Sequence, residues 1–108
     1  MQTGNFFNGN FSEISEEFIE ILKSDSNTRI ERIISNGNIS PENFWYDQNE
    51  WEWVIVLEGS AKLEFKSKVL ELNRGDWVYI PEHEIHRVIY TSYNPPCVWL
   101  AVFGKSKV

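Results

Sequence analysis

From residue 28 onward the chain is cut into short apolar segments by turn residues at intervals of about 8–12 residues, a rhythm that points to a small antiparallel sandwich or barrel. Arg29 to Ile34 forms one such segment and stops at Asn36-Gly37-Asn38. Trp51 to Leu57, rich in Val, Ile and Trp, is closed by Glu58-Gly59-Ser60. Ala61, Leu63 and Phe65 then alternate with Lys62, Glu64 and Lys66, the period of two of a half-buried strand. Val69 to Leu72, Trp77 to Ile80, His86 to Thr91 and Val98 to Phe103 complete the set. Turns at Asn73-Arg74-Gly75, Pro81-Glu82 and Asn94-Pro95-Pro96 separate them. The reading is one all-β domain with a single barrel-like interior into which His86 points.

The segment before residue 28 reads differently. Residues 1–11 alternate Gly and Asn with Phe6, Phe7 and Phe11, an irregular arm whose aromatics pack on the domain or on a second copy of it. Ser12 is placed to cap a short α-helix over about residues 13–23, with Glu13, Glu16 and Glu17 in its first turn. Ile14, Phe18, Ile21 and Leu22 give that helix one apolar stripe. The expected organisation is therefore an arm and helix over 1–27 and a β-barrel over 28–108, one structural unit overall.

Composition limits the partners. Sixteen acidic against ten basic residues give a net charge of −6, with no Lys/Arg stripe. Such a surface repels phosphate backbones and anionic membranes, so neither nucleic acid nor a membrane is an expected partner. The single cysteine, Cys97, excludes an intrachain disulfide and a Cys-based metal cluster; a buried, inert thiol is expected. With neither a basic n-region nor an apolar h-region at the N-terminus, the cytoplasm is the expected compartment. At 108 residues with 42% apolar side chains, one self-sufficient core is feasible.

Two segments carry the chemistry. In the first, Tyr46 to Gly59, strand parity puts Glu52, Val54 and Val56 on one face. In the second, Gly75 to His86 and onward, His86, Val88 and Tyr90 share a face by the same parity. If both faces line one interior, a carboxylate and an imidazole meet there among apolar side chains, the usual makeup of a small-molecule or metal pocket. His83 is expected at the mouth of that interior. Arg32 and Arg87 could each clamp a carboxylate, although alternation turns Arg87 outward from His86, where a surface ion pair is its expected role.

These two segments resemble the paired motifs of the cupin superfamily, small antiparallel jelly-roll barrels also described as a double-stranded β-helix. Glu52 and Gly59 match the first motif in type and spacing, while its two histidine positions fall on Tyr46 and Gln48. In the second motif Gly75, Pro81 and His86 match, with His83 where Gly is common and Tyr90 where Asn is common. The resemblance covers about residues 28–103. It implies a fold and leaves the function open, because one cupin barrel hosts many activities.

A standard cupin metal site uses three His and one Glu around iron, manganese, nickel or zinc. Of that set this chain keeps His86 and Glu52, offering Gln48 as a neutral oxygen ligand and Tyr46 as a phenolate. A site of Gln48, Glu52 and His86 has few imidazoles for a transition metal. The resemblance therefore supports two readings. One is a small-molecule-binding module with an eroded metal site, using Tyr46, Gln48, His83 and Tyr90 as ligand contacts. The other is an enzyme, metal-assisted in the oxygenase or isomerase class, or metal-free with His86 as acid/base tuned by Glu52. A homodimer is the expected assembly.

Overall fold

The computed structural model describes residues 1–106, so the last two residues of the expected 28–108 unit lie outside the described residues. Among the described residues eight strands form two antiparallel sheets that pack into a β-sandwich. The strands are β1 (Phe18–Ser24), β2 (Thr28–Ser35), β3 (Trp51–Glu58), β4 (Ala61–Phe65), β5 (Val69–Leu72), β6 (Trp77–Ile80), β7 (His86–Thr91) and β8 (Cys97–Gly104). The larger sheet runs β1-β2-β8-β3-β6 and the smaller β5-β4-β7. No helix occurs among the described residues, and none is long and apolar enough to cross a membrane.

The expected helix over 13–23 is absent: its second half is β1, paired antiparallel with β2. The apolar spacing of Ile14, Phe18, Ile21 and Leu22 fits a helix, but local spacing is a weak determinant beside an available strand edge. β-Branched Ile19 and Ile21 suit a pleated surface. Glu20 lies across from Arg32, whose Nε donates to it at 2.9 Å, so the polar residue between them also finds a strand partner.

Alternation in β3 and β8 sends Val54, Val56, Trp99, Ala101 and Phe103 into the core, where Leu63, Leu72 and Ile80 meet them. Cys97 is fully buried beside them, and burial pushes its thiol well above the ordinary cysteine range. Gly59 makes the β3–β4 turn with φ +77°; a Cβ there would stand 2.6 Å from the Pro96 carbonyl oxygen, so both conformation and space demand glycine.

The arm before β1 lies against the outer face of the larger sheet. Arg32 holds it, donating from Nη1 to the Asn8 carbonyl at 2.8 Å and to those of Asn5 and Phe6 at 3.4 and 3.3 Å. The same guanidinium sits over the Phe11 and Phe18 rings at 5.5 and 5.4 Å. Arg32 is thereby committed to the arm rather than free to clamp a ligand.

Candidate functional site

Between the sheets lies a cavity of about 260 Å³. Val54, Leu63, Ile80, Val88 and Phe103 give it apolar walls, and His86, Glu52, Tyr46 and Gln48 supply polar groups. Each polar group arrives for a local reason. Glu52 opens the inward register of β3, ahead of Val54 and Val56. His86 opens β7 from the opposite sheet, next to Phe65 across the ladder. Tyr46 precedes β3 but forms a two-way backbone bridge with His86, at 2.7 and 3.2 Å, which fixes one ring beside the other. Gln48 is held by its own carbonyl, which accepts from the His83 amide at 2.8 Å.

His86 is 5% exposed. Its Nδ1 lies 2.8 Å from the Glu84 carbonyl oxygen, which can only accept, so the proton belongs on Nδ1 and orients the ring. Nε2 consequently faces Glu52, whose Oε1 is 3.6 Å away. That separation is too long for a good hydrogen bond, and the contact becomes an ion pair when the imidazole is protonated. Tyr46 and Phe65 stack on the imidazole, with ring centroids 5.4 and 5.7 Å from it. Burial alone would lower the His86 pKa, but the Glu52 carboxylate and the Glu84 carbonyl outweigh it and raise it above the ordinary histidine value.

Tyr46 moves the opposite way from a phenolate ligand. Burial and the charges of Glu17 and Glu52 hold its hydroxyl above the usual range, keeping it a neutral donor. Without that phenolate, one imidazole, one carboxylate and one amide are left from the expected metal set. Among the described residues no group of three His, Cys, Asp or Glu side chains is arranged to hold a metal ion. The donor set thus does not fit the four-ligand centre that the resemblance implies.

Two expected ligand contacts lie elsewhere. His83, with φ 62°, is exposed on the β6–β7 loop, its Nδ1 2.7 Å from Asp47, and does not line the cavity. Tyr90 is 44% exposed and points away from it. In the β4–β7 ladder Lys62 faces Tyr90 while the next residue, Leu63, faces Val88, so Ile89 is an extra residue. This bulge reverses the parity that joined Tyr90 to His86 and leaves its ring 5.7 Å from the Lys62 ammonium. Arg87 faces away from His86, 3.9 Å from Glu64 and 5.6 Å from the Trp45 ring centroid.

Three further polar residues at the cavity escape the sequence reading: Glu17, Arg29 and Glu31. Arg29 and Glu31 share the inward face of β2, an alternation visible within Thr28–Ser35. Arg29 donates from Nε to Glu31 at 2.5 Å and reaches Glu50 from Nη1 and Nη2 at 3.1 and 3.2 Å, with its guanidinium 4.2 Å from the Phe103 centroid. Glu17 falls within the expected helix, whose place is taken by the segment entering β1.

An antiparallel sandwich enclosing a part-polar cavity with one imidazole and one carboxylate from opposite sheets defines the class: a small β-barrel protein with an internal pocket. Residues 32–103 match the family described as Cupin domain, and the chain belongs to that family. A solved structure from Ralstonia eutropha JMP134, provisionally named a mannose-6-phosphate isomerase, is 39% identical, with 98% of this chain and 100% of that one covered and a TM-score of 0.94. A cupin superfamily protein from Desulfitobacterium hafniense DCB-2 is 14% identical over 90% of this chain and 84% of its own, with a TM-score of 0.74. The cupin domain of an XRE family transcriptional regulator from Enterobacter cloacae is 15% identical over 84% and 98%, with a TM-score of 0.69. No curated protein matches the chain.

Proposed function

We propose that this chain binds a small hydroxyl-bearing molecule, of monosaccharide size, in its barrel cavity without a bound metal. The observation that carries the reading is the fixed His86 ring: Nδ1 is tied to the Glu84 carbonyl, so Nε2 and the Glu52 carboxylate converge on the cavity. At about 260 Å³ the cavity lies just below the range of about 300–1,000 Å³ usual for larger ligands. Tyr46 contributes a hydroxyl donor and Gln48 an amide, while the apolar walls accept a sugar's C–H faces.

The isomerase name carried by the Ralstonia relative favours a second reading on the same residues. Aldose–ketose interconversion moves a proton between neighbouring carbons, and a His86 imidazole beside Glu52 is suited to take and return it. Thermal-shift and calorimetric titration with D-mannose, D-fructose and D-glucose tests binding, and proton exchange from solvent tests turnover. The proposal expects saturable binding that His86→Ala abolishes and that metal chelation leaves unchanged. Stoichiometric metal released by His86→Ala, or no binding of any of these sugars, contradicts it.

We also propose that the partner is a second copy of the chain. The outer faces of β3 and β6 align Trp51 with Tyr79 and Trp53 with Trp77, ring centroids 6.1 and 5.9 Å apart. Trp77 and Tyr79 remain 59% and 50% exposed, and no charged side chain interrupts this stripe. An uncharged apolar face on a chain of net charge −6 is complementary to its own twin. Light scattering should find a dimer that Trp77→Lys converts to monomer; a wild-type monomer contradicts the assembly.

A further inference from the structure

Glu17 lies just ahead of β1, and its position follows from the sheet register. Phe18 faces Ile34, so the next step of the ladder sets Glu17 against Ser35 on the inward side, where Ile19, Ile33 and Glu31 also face. Its Oε2 accepts from the Ser35 hydroxyl at 2.8 Å, and Ser35 in turn accepts from Trp99 Nε1 at 3.2 Å. Ser35 is completely buried, whereas Glu17, which lines the cavity, is exposed as a residue. Among the described residues the Glu17 side chain has no other hydrogen-bond partner, so its Oε1 is unpartnered. The segment is fixed just upstream, where Asn38 Nδ2 donates to the Ser15 carbonyl at 2.9 Å.

The charges around it decide what can enter. Glu17, Glu31 and Glu52 all line the cavity, and Arg29 is the one Lys or Arg among its lining residues. Arg29 is already held by two carboxylates, those of Glu31 and Glu50. Burial holds the Glu17 carboxyl above its usual range, with the Ser35 hydroxyl opposing and the Glu31 and Glu52 charges reinforcing the rise. Glu17 alone of the three lacks a cationic or imidazole neighbour. A phosphate ester placed here would meet carboxylates, while Arg29 is held by Glu31 and Glu50 and His86 faces Glu52. A hydroxyl would find an open carboxyl oxygen.

We propose that Glu17, delivered to the cavity by the segment preceding β1, is a specificity-determining residue that accepts a hydrogen bond from a ligand hydroxyl and bars a phosphate from the same place. The inference rests on the pocket reading above and deepens it: the ligand class is an unphosphorylated polyol or sugar. It separates this chain's ligand from the one named for its Ralstonia relative.

Calorimetric titration of the full chain at neutral pH with D-mannose and with D-mannose 6-phosphate, on wild type, Glu17→Gln and Glu17→Ala, is the test. Wild type should bind mannose at least about 100-fold more tightly than the phosphate ester. Glu17→Gln keeps one acceptor oxygen for Ser35 and offers the ligand hydroxyl an N–H donor in place of the second oxygen. It should hold mannose within about threefold and narrow the discrimination about tenfold. Glu17→Ala should lose about tenfold for mannose, circular dichroism reporting that both variants fold. Equal or tighter binding of the phosphate, or an unchanged Glu17→Ala, overturns the role of Glu17 while leaving the pocket intact. Binding of neither sugar to wild type overturns the pocket reading and this inference with it.

Discussion

Two histidines three residues apart live in opposite conditions. The side chain of His83 is 68% exposed and sits 2.7 Å from Asp47, itself exposed on the surface. The side chain of His86 is 6% exposed and its carboxylate neighbour is farther away, at 3.6 Å. The shorter contact is the weaker one, because water and salt screen an exposed pair and side-chain entropy opposes it. The longer contact lies where the dielectric is low, the ring is stacked between Tyr46 and Phe65, and Nδ1 is already satisfied. Environment, not distance, separates these two histidines.

The most damaging break in that comparison is His86→Ala. It removes a buried ring packed by two aromatics and leaves the Glu84 carbonyl without its donor, so denaturant unfolding should register a loss of about 2–3 kcal/mol. Sugar binding should vanish with it. Glu52→Gln is milder: the fold persists with a loss of about 1 kcal/mol, and the His86 pKa falls because burial is no longer offset by a carboxylate. A His86 titration unmoved by Glu52→Gln would break the assignment of that pair.

The pH dependence sharpens the contrast further. The His86 pKa is raised above its ordinary value of 6.5 in the fold, so its protonation stabilises the native state. That contribution is complete below about pH 6.5 and disappears as pH rises through the folded value. The stability gap between wild type and His86→Gln should therefore shrink as pH climbs from 6 to 9. The smallest effects belong to the surface. His83→Ala should change stability by no more than about 0.5 kcal/mol and leave sugar binding untouched, and Tyr90→Ala should likewise spare binding.

What could be read from the sequence follows the same division. Strand alternation with Gly, Asn and Pro punctuation located every strand from β2 to β8 within a residue or two, because period-two burial is written locally. Parity also set Glu52 and His86 facing inward. Tyr90 departs from the face that parity gives it because the Ile89 bulge is a property of the paired ladder, invisible along one strand. Glu17 is not legible as a cavity residue because Ile14, Phe18, Ile21 and Leu22 satisfy a helical stripe as well as part of a strand. Only the edge of β2 decides between them. The signal that could have found it is the Phe18-Ile19-Glu20-Ile21 alternation, with two β-branched residues facing one way. The placement of Arg29 and Glu31 in the cavity was available from the alternation in β2.

Long-range proton–nitrogen NMR of the two imidazoles, recorded with and without D-mannose, tests most directly that the barrel histidine is the functional one. Free His86 should show a protonated Nδ1 and an Nε2 that responds to pH; added sugar should shift the Nε2 resonance and leave His83 where it was. A saturable shift at His83 with His86 unmoved would contradict the assignment.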